Sequence, residues 1–211
     1  MRITEIFTSI QGESTFAGLP CTFVRLTGCP LRCGYCDTAY AFSGGTEMAI
    51  DEILARVAEA RVDLVEVTGG EPLAQKETPA LLAHLLATGY QVLLETSNAL
   101  PIEPVPDGVH IILDLKSPGS GELSANRWEN LELLDERGEI KFVLTDRADF
   151  DWAVETIAAH HLAGRWPLLL APVFGALDPA DLAAWIIEAR LPARLQLQLH
   201  KLIWGPERTG V

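Results

Sequence analysis

No apolar run in this chain approaches the ~20 residues that a membrane-spanning helix needs. The first residues, MRITEIFTSIQGE, contain one Arg but no apolar stretch of the kind a secretion signal uses. Positive charge is also short: Lys and Arg total 16 against 29 Asp and Glu, a formal charge of −13. That balance argues against nucleic acid or an anionic membrane as partner, because both favour basic surfaces. It leaves room for a small anionic ligand held in a local basic pocket. Cysteine is scarce, at four in 211 residues, too few for a disulfide framework. Repeats, low-complexity tracts and long linkers are absent. With 48% hydrophobic and 21% charged residues, the composition excludes disorder and collagen-like structure. A chain of this length buries roughly 70% of its unfolded surface and needs no staples, so residues 1–211 are expected to form one domain in the cytoplasm.

Strands and helices alternate along the sequence. The N-terminal segment reads as a strand. Cys21 to Thr27 is β-branched and apolar, hence another. Ile50, Ile53, Leu54 and Val57 fall on one helical face. A strand follows at Leu64 to Thr68, then a helix capped by Thr78 with Pro79 at its first position and ended by Gly89. Further strands are expected at Gln91–Glu95, Val109–Leu113, Glu139–Leu144, Leu168–Ala171 and Arg194–His200. Further helices are expected near Trp128–Arg137, around Asp151–His161, and from Pro179 with Asp178 as cap. Pro101, Pro104 and Pro106 forbid regular structure from Ala99 to Gly108. The βα alternation with short connections implies a parallel sheet with helices outside, with too few units for an eight-stranded barrel. An open or partial barrel places its ligand site at the C-terminal strand ends. The polar and glycine-rich segments fall there: Gly28 onward, Thr68-Gly69-Gly70-Glu71, Glu95 to Asn98 and Asp114 to Ser117.

Three of the four cysteines crowd into one loop, Cys29-Pro-Leu-Arg-Cys33-Gly-Tyr-Cys36. Thiolates in close spacing wrap soft metals and iron–sulfur clusters. A structural zinc site would need a fourth ligand, and no His lies near. A Cys33–Cys36 redox pair would leave Cys29 unexplained. A three-cysteine [4Fe–4S] site leaves one iron open to another ligand. Cys21, at a strand start, reads as a small buried hydrophobe.

The C-x3-C-x2-C spacing with an aromatic before the last Cys, followed by Thr68-Gly69-Gly70-Glu71-Pro72 at a strand end, resembles the radical S-adenosylmethionine (SAM) signature. Nearly end to end the chain further resembles the 7-carboxy-7-deazaguanine synthase family. The resemblance is carried by Ile10-Gln11-Gly12-Glu13, Phe23 to Cys29, Cys36-Asp37-Thr38, Glu95-Thr96-Ser97, Asp114-Leu115-Lys116 and Leu199 to Pro206. It implies an abbreviated, partial (β/α)6-type radical SAM barrel, with an N-terminal strand and a C-terminal tail completing the substrate site. It implies a carbon–nitrogen lyase that converts 6-carboxy-5,6,7,8-tetrahydropterin to 7-carboxy-7-deazaguanine with loss of ammonia, in queuosine biosynthesis. SAM, a [4Fe–4S] cluster and Mg²⁺ are the implied cofactors; a homodimer and an electron donor such as a flavodoxin are the implied partnerships. A glycyl-radical enzyme activase shares the cysteine spacing but needs a large protein substrate. A non-catalytic iron–sulfur or zinc protein is the alternative of another class. Ser14 departs from the family, where many relatives have Gly.

By the same resemblance Cys29, Cys33 and Cys36 hold the cluster and Thr38 holds Mg²⁺. Tyr35, Asp37, Gly70, Ser97, Asp114, Leu115 and Lys116 bind the cofactor, and Ile10, Gln11, Gly12, Arg25, Thr68 and His200 bind substrate. The residue types suit those tasks. Gly70 has no Cβ to block backbone approach to a ligand. A planar guanidinium at Arg25 can hold a carboxylate bidentately. Mg²⁺ takes hard oxygen ligands, few of them from protein. Gln11, with the backbone of Ile10 and Gly12, matches the donor and acceptor edge of a pterin. Lys116 at a strand end sets a cation where SAM would sit. Ser97 and Asn98 fit either SAM contacts or turn chemistry.

Overall fold

The computed structural model describes residues 1–211. Nine strands form one open sheet: β1 (Arg2–Ile10), β2 (Pro20–Leu26), β3 (Thr46–Glu47), β4 (Leu64–Gly69), β5 (Gln91–Thr96), β6 (His110–Lys116), β7 (Glu139–Leu144), β8 (Leu168–Pro172) and β9 (Arg194–Leu195). Their order is β3-β1-β2-β4-β5-β6-β7-β8-β9. β1 runs antiparallel to β2 and to β3; every pairing from β2 to β9 is parallel. The helices are α1 (Ile50–Ala60), α2 (Thr78–Ala87), α3 (Asn130–Leu133), α4 (Arg147–Ala159), α5 (Pro179–Glu188) and α6 (Leu199–Trp204). None is long and apolar enough to cross a membrane.

The outer face of the sheet is covered in two blocks. Val24, Val65, Val67 and Leu94 pack under Ile53 and Val57 of α1 and Leu81, Leu82 and Leu85 of α2. Leu113, Leu115, Ile140, Phe142 and Leu170 pack under Phe150, Ala153 and Ile157 of α4 and Leu182 and Ile186 of α5. Each large buried aliphatic side chain contributes about 1.5–3 kcal/mol.

Several elements differ from expectation. Thr78 does not cap α2; its hydroxyl turns back to Pro72 O at 2.6 Å, and Glu77 is the cap residue without a side-chain bond. Asp178 does cap α5, accepting from Ala180 N at 2.8 Å. The helix expected over Trp128–Arg137 shrinks to the single turn α3, whose Asn130 side chain is drawn into Asn98, Leu100 and Ile102. The three prolines keep residues 97–109 without a helix, so β5 reaches its parallel neighbour β6 through irregular chain. The last expected strand divides: β9 is two residues long and His200 lies in α6.

Candidate active site

Period-two alternation in the parallel strands sends Arg25, Glu66, Thr68, Glu95, Asp114, Lys116 and Lys141 to the inner face of the sheet. The register matches Arg25 with Thr68 and Asp114 with Lys141, and laterally paired residues point the same way. Deeper on that face lies an apolar layer of Cys21, Phe23, Leu64, Leu93 and Ile112. The inner face is thus mostly apolar at the N-terminal strand ends, with the Glu139–His110 pair as the polar exception, and charged toward the C-terminal ends. The charged part walls a cavity of about 250 Å³.

Ionised groups out of water need partners. Lys141 Nζ lies 2.9 Å from Glu13 Oε2 and 2.6 Å from Glu95 Oε1. The shorter bond makes Glu95 the carboxylate that Lys141 holds below its ordinary range, whereas burial pushes Glu13 up. Glu13 Oε1 is buried with no partner. Lys116 Nζ bonds Asp114 Oδ2 at 2.7 Å on the same strand, and Asp114 Oδ1 is likewise buried and unpartnered. Glu66 is held by Gln11 Nε2, and its carboxyl is raised well above the usual range by burial and by Glu95. Arg25 donates through Nε to Glu5 at 2.8 Å, and Glu5 Oε1 also accepts from Tyr40 OH at 2.8 Å. No protein group bonds the other guanidinium nitrogens of Arg25, which lines the cavity.

The cysteine loop is moored at both sides. Gly34 N donates to Ser120 O at 3.0 Å and Arg32 N to Glu122 Oε1 at 2.6 Å. At its start, Gly70 N bonds Leu26 O at 3.1 Å and Glu71 N bonds Gly28 O at 2.8 Å. Glu71 is fully buried and fixes this turn by accepting from Leu73 N, Thr96 Oγ1 and Ser97 N at 2.7–2.9 Å, and from Ser97 Oγ. Cys29, Cys33 and Cys36 all face the cavity. No three His, Cys, Asp or Glu side chains gather closely enough to cage one bare metal ion. Three thiols that line one cavity without converging on a point suit a larger soft group such as a cluster. Burial raises the Cys29 and Cys33 thiols, with Lys116 pulling the other way. Cys21 is completely buried in the apolar layer, as its sequence position suggested. Thr38 faces the cavity, and its hydroxyl caps no helix.

The two ends of the chain meet over this cavity. Gly12 O accepts from Leu199 N at 3.1 Å, and a Cβ on Gly12 would sit 2.6 Å from His200 Nδ1. Asp37 Oδ2 accepts from Lys201 Nζ at 2.6 Å and Gln198 Nε2 at 3.1 Å; these partners outweigh partial desolvation and hold the carboxyl of this half-exposed side chain far below the usual range. Burial and Lys201 depress the His200 imidazole, favouring its neutral form.

Of the residues singled out from sequence, Ile10, Gln11, Gly12, Arg25, Cys29, Cys33, Tyr35, Cys36, Asp37, Thr38, Thr68, Gly70, Ser97, Asp114, Lys116 and His200 all line this cavity. Leu115 does not: its side chain is fully buried on the opposite face of β6, in the helix-covered core. Asn98 is a turn residue, with φ +61° and its Oδ1 bonded by Asn130. The reason for Gly70 also changes. A Cβ there would strike Gly28 O at 2.2 Å and Cys29 Cβ at 2.8 Å, so the glycine admits the cysteine loop itself. Asp37 is engaged by α6, and the Gly12 carbonyl and Gln11 side-chain amide already have protein partners. Lys116 is buried and paired rather than solvated. Sequence reasoning left Glu13, Glu66, Glu95 and Lys141 without roles. For Glu66, Glu95 and Lys141 the signal was a charge inside an otherwise apolar strand, as in LVEVTG, QVLLET and EIKFVL; Glu13 lies in the loop after β1 and carried no such signal.

Residues 23–119 match the Radical SAM superfamily. The chain is 50% identical over 214 residues to 7-carboxy-7-deazaguanine synthase of Chlorobaculum tepidum, covering 100% of this chain and 97% of that protein. It is 47% identical to the synthase of Koribacter versatilis, covering both chains fully. The crystal structure of QueE from Escherichia coli shares the fold, with a TM-score of 0.76 at 24% identity over 93% of each chain. Streptococcus suis SuiB with bound S-adenosylmethionine is a more distant likeness, with a TM-score of 0.55 at 17% identity over 83% of this chain and 51% of that one. An abbreviated open barrel, a three-thiol loop against a glycine turn, and full-length relatives at this identity lead to one assignment: the chain belongs to the 7-carboxy-7-deazaguanine synthase family of the radical SAM superfamily.

Proposed function

We propose that this chain is a carbon–nitrogen lyase converting 6-carboxy-5,6,7,8-tetrahydropterin to 7-carboxy-7-deazaguanine with loss of ammonia, in 7-deazapurine biosynthesis. The observation that carries the reading is the shared cavity, lined both by three thiols and by a half-buried Arg25 with guanidinium nitrogens to spare. Cys29, Cys33 and Cys36 would hold a [4Fe–4S] cluster, and Thr38 would give Mg²⁺ a hard oxygen while substrate and water complete its shell. Held there, the cluster would supply the electron needed for reductive cleavage of SAM. The protein's part is binding, orientation and exclusion of water. Asp114 and Lys116, paired at 2.7 Å, line the cavity together and would meet the polar groups of SAM. Arg25, aimed by Glu5, takes the substrate carboxylate. Lys141 keeps Glu95 ionised at the floor, and the α6 segment closes the cavity through the Lys201–Asp37 pair.

The enzyme works as a cytoplasmic homodimer served by an electron donor such as a flavodoxin. Exposed Leu202, Ile203 and Trp204 on α6, with Phe174 nearby in sequence to β8, supply apolar surface for a partner. The deciding experiment is anaerobic reconstitution with iron and sulfide, then incubation with SAM, reductant, Mg²⁺ and the carboxy-tetrahydropterin. The expected result is 7-carboxy-7-deazaguanine with stoichiometric ammonia. Iron incorporation without SAM cleavage would point instead to an iron–sulfur carrier, and the assignment would fall.

A further inference from the structure

We infer that Glu66 is a specificity-determining residue, whose free oxygen Oε1 meets the carbonyl edge of the substrate's aminopyrimidinone ring. The inference rests on the proposed function and deepens it.

Glu66 stands in β4 between Val65 and Val67, both in the helix-covered core, so its own side chain faces the cavity. It is 3% exposed. Gln11 Nε2 engages Oε2, and Gln11 Oε1 is in turn fixed by Glu13 N at 3.0 Å. The carboxyl plane is therefore set through Oε2 by protein groups before any ligand arrives. Oε1 has no protein partner, yet it is not among the side-chain atoms sealed from the cavity, as Glu13 Oε1 and Asp114 Oδ1 are. A carboxyl oriented through one oxygen with the other left open is arranged to meet a polar group that arrives later. The scale also agrees. Arg25 lies beside Thr68, and Glu66 is two residues deeper along β4, a step of about 6.6 Å, comparable to the long dimension of a two-ring heterocycle. A pterin held at Arg25 by its carboxylate would thus reach Glu66 with its far edge.

The ionisable groups around Glu66 fix which edge it reads. Glu95 and Glu13 crowd it with negative charge, Lys141 offsets them in part, and burial adds to the carboxylates' effect. Glu66 stays uncharged further up the pH scale than an ordinary glutamic acid. In that form Oε2 accepts from Gln11 and Oε1 carries the proton, so it presents a donor to the ring carbonyl. A donor at that point matches the 4-oxo group of a 2-amino-4-oxo ring and mismatches the 4-amino group of a 2,4-diamino ring.

The test uses the reconstituted enzyme with SAM, titrated with the carboxylated pterin, its 4-amino counterpart, and the pterin lacking the carboxylate. The parent enzyme is expected to prefer the 4-oxo ligand over the 4-amino one. Glu66→Val should erase about tenfold of that preference, while the preference for carboxylated over decarboxylated ligand, read by Arg25, persists. Glu66→Gln, which keeps a donor at the same point, should retain the 4-oxo preference. A merely structural role, such as steadying Gln11, would weaken all ligands alike and leave the ratios unmoved. Unchanged ratios in Glu66→Val overturn the inference, and so does a lost preference in Glu66→Gln. The second outcome is decisive even if the valine variant fails to fold. If the parent binds no carboxylated pterin at all, the proposed function falls first and the inference with it.

Discussion

A single methyl group at position 70 should cost the chain its cysteine loop. The added Cβ would lie 2.2 Å from Gly28 O and 2.6 Å from Gly28 C, where real Cβ atoms keep at least 3.0 Å, so the loop would have to retreat by about 0.8 Å. The obstacle is backbone, and no side-chain rotation relieves it. Retreat stretches the Glu71 N–Gly28 O bond of 2.8 Å and the Gly70 N–Leu26 O bond of 3.1 Å. Overpacking costs about 1–3 kcal/mol and each of the two weakened bonds about 1 kcal/mol, so Gly70→Ala is expected to destabilise by about 3–5 kcal/mol. For a chain of this size that lowers Tm by about 6–20 °C. Gly34→Ala is the matched control, because its Cβ meets nothing within 4 Å although it sits inside the same loop. Calorimetry of the metal-free proteins gives the stability. Iron analysis after reconstitution tells whether Cys29 has moved. A Gly70→Ala protein that melts with the parent and loads the same iron refutes the packing argument, and would return Gly70 to a role in ligand approach alone.

Lys141→Met should destabilise by about 3–5 kcal/mol, because it strands Glu13 and Glu95 in a dry site; urea unfolding with a loss below 1 kcal/mol would contradict it. Glu66→Gln should become progressively more stable than the parent as pH rises above 4.5. Over that window the unfolded parent ionises Glu66 while the fold keeps it protonated; a difference that shrinks with pH would reverse the sign of the argument. Cys21→Ala should lose about 1 kcal/mol of packing and keep its iron, whereas Cys29→Ala should lose the iron; an iron-free Cys21→Ala protein would reassign the ligands.

The fold was largely readable because most parallel strands announce themselves as apolar runs ended by glycine or proline. LVEVTGG, QVLLETS and HIILDLKS each end at a polar turn, and the cavity lies at those turns. What escaped was set by tertiary partners. α3 is one turn long because Asn130 is tied to the 98–102 chain, a contact no local propensity reports. α6 was hidden because Leu197, Leu199, Leu202 and Ile203 suit a strand as well as a helix until Gly12 and Asp37 fix its start. Nothing local marks Lys141 and Glu95 as partners: they stand on β7 and β5 with β6 between them, and only the folded sheet brings Nζ within 2.6 Å of Oε1. Ser14 adopts φ +61°, a conformation that favours glycine; its Oγ accepts from Phe16 N at 3.0 Å, which offsets the strained backbone.

The closure of the first strands by the last helix imposes an order on biosynthesis. A ribosome delivers Gly12 and Asp37 long before Leu199 and Lys201, the residues that bond to them. The β1–β2 hairpin can pair as soon as it emerges, and the parallel strands add one neighbour at a time in sequence order from β4 to β9. The cavity stays open on its α6 side until the final residues leave the exit tunnel. A nascent chain can therefore admit iron and sulfide to its three thiols from the moment residues 29–122 have folded, before the segment that shuts the site exists.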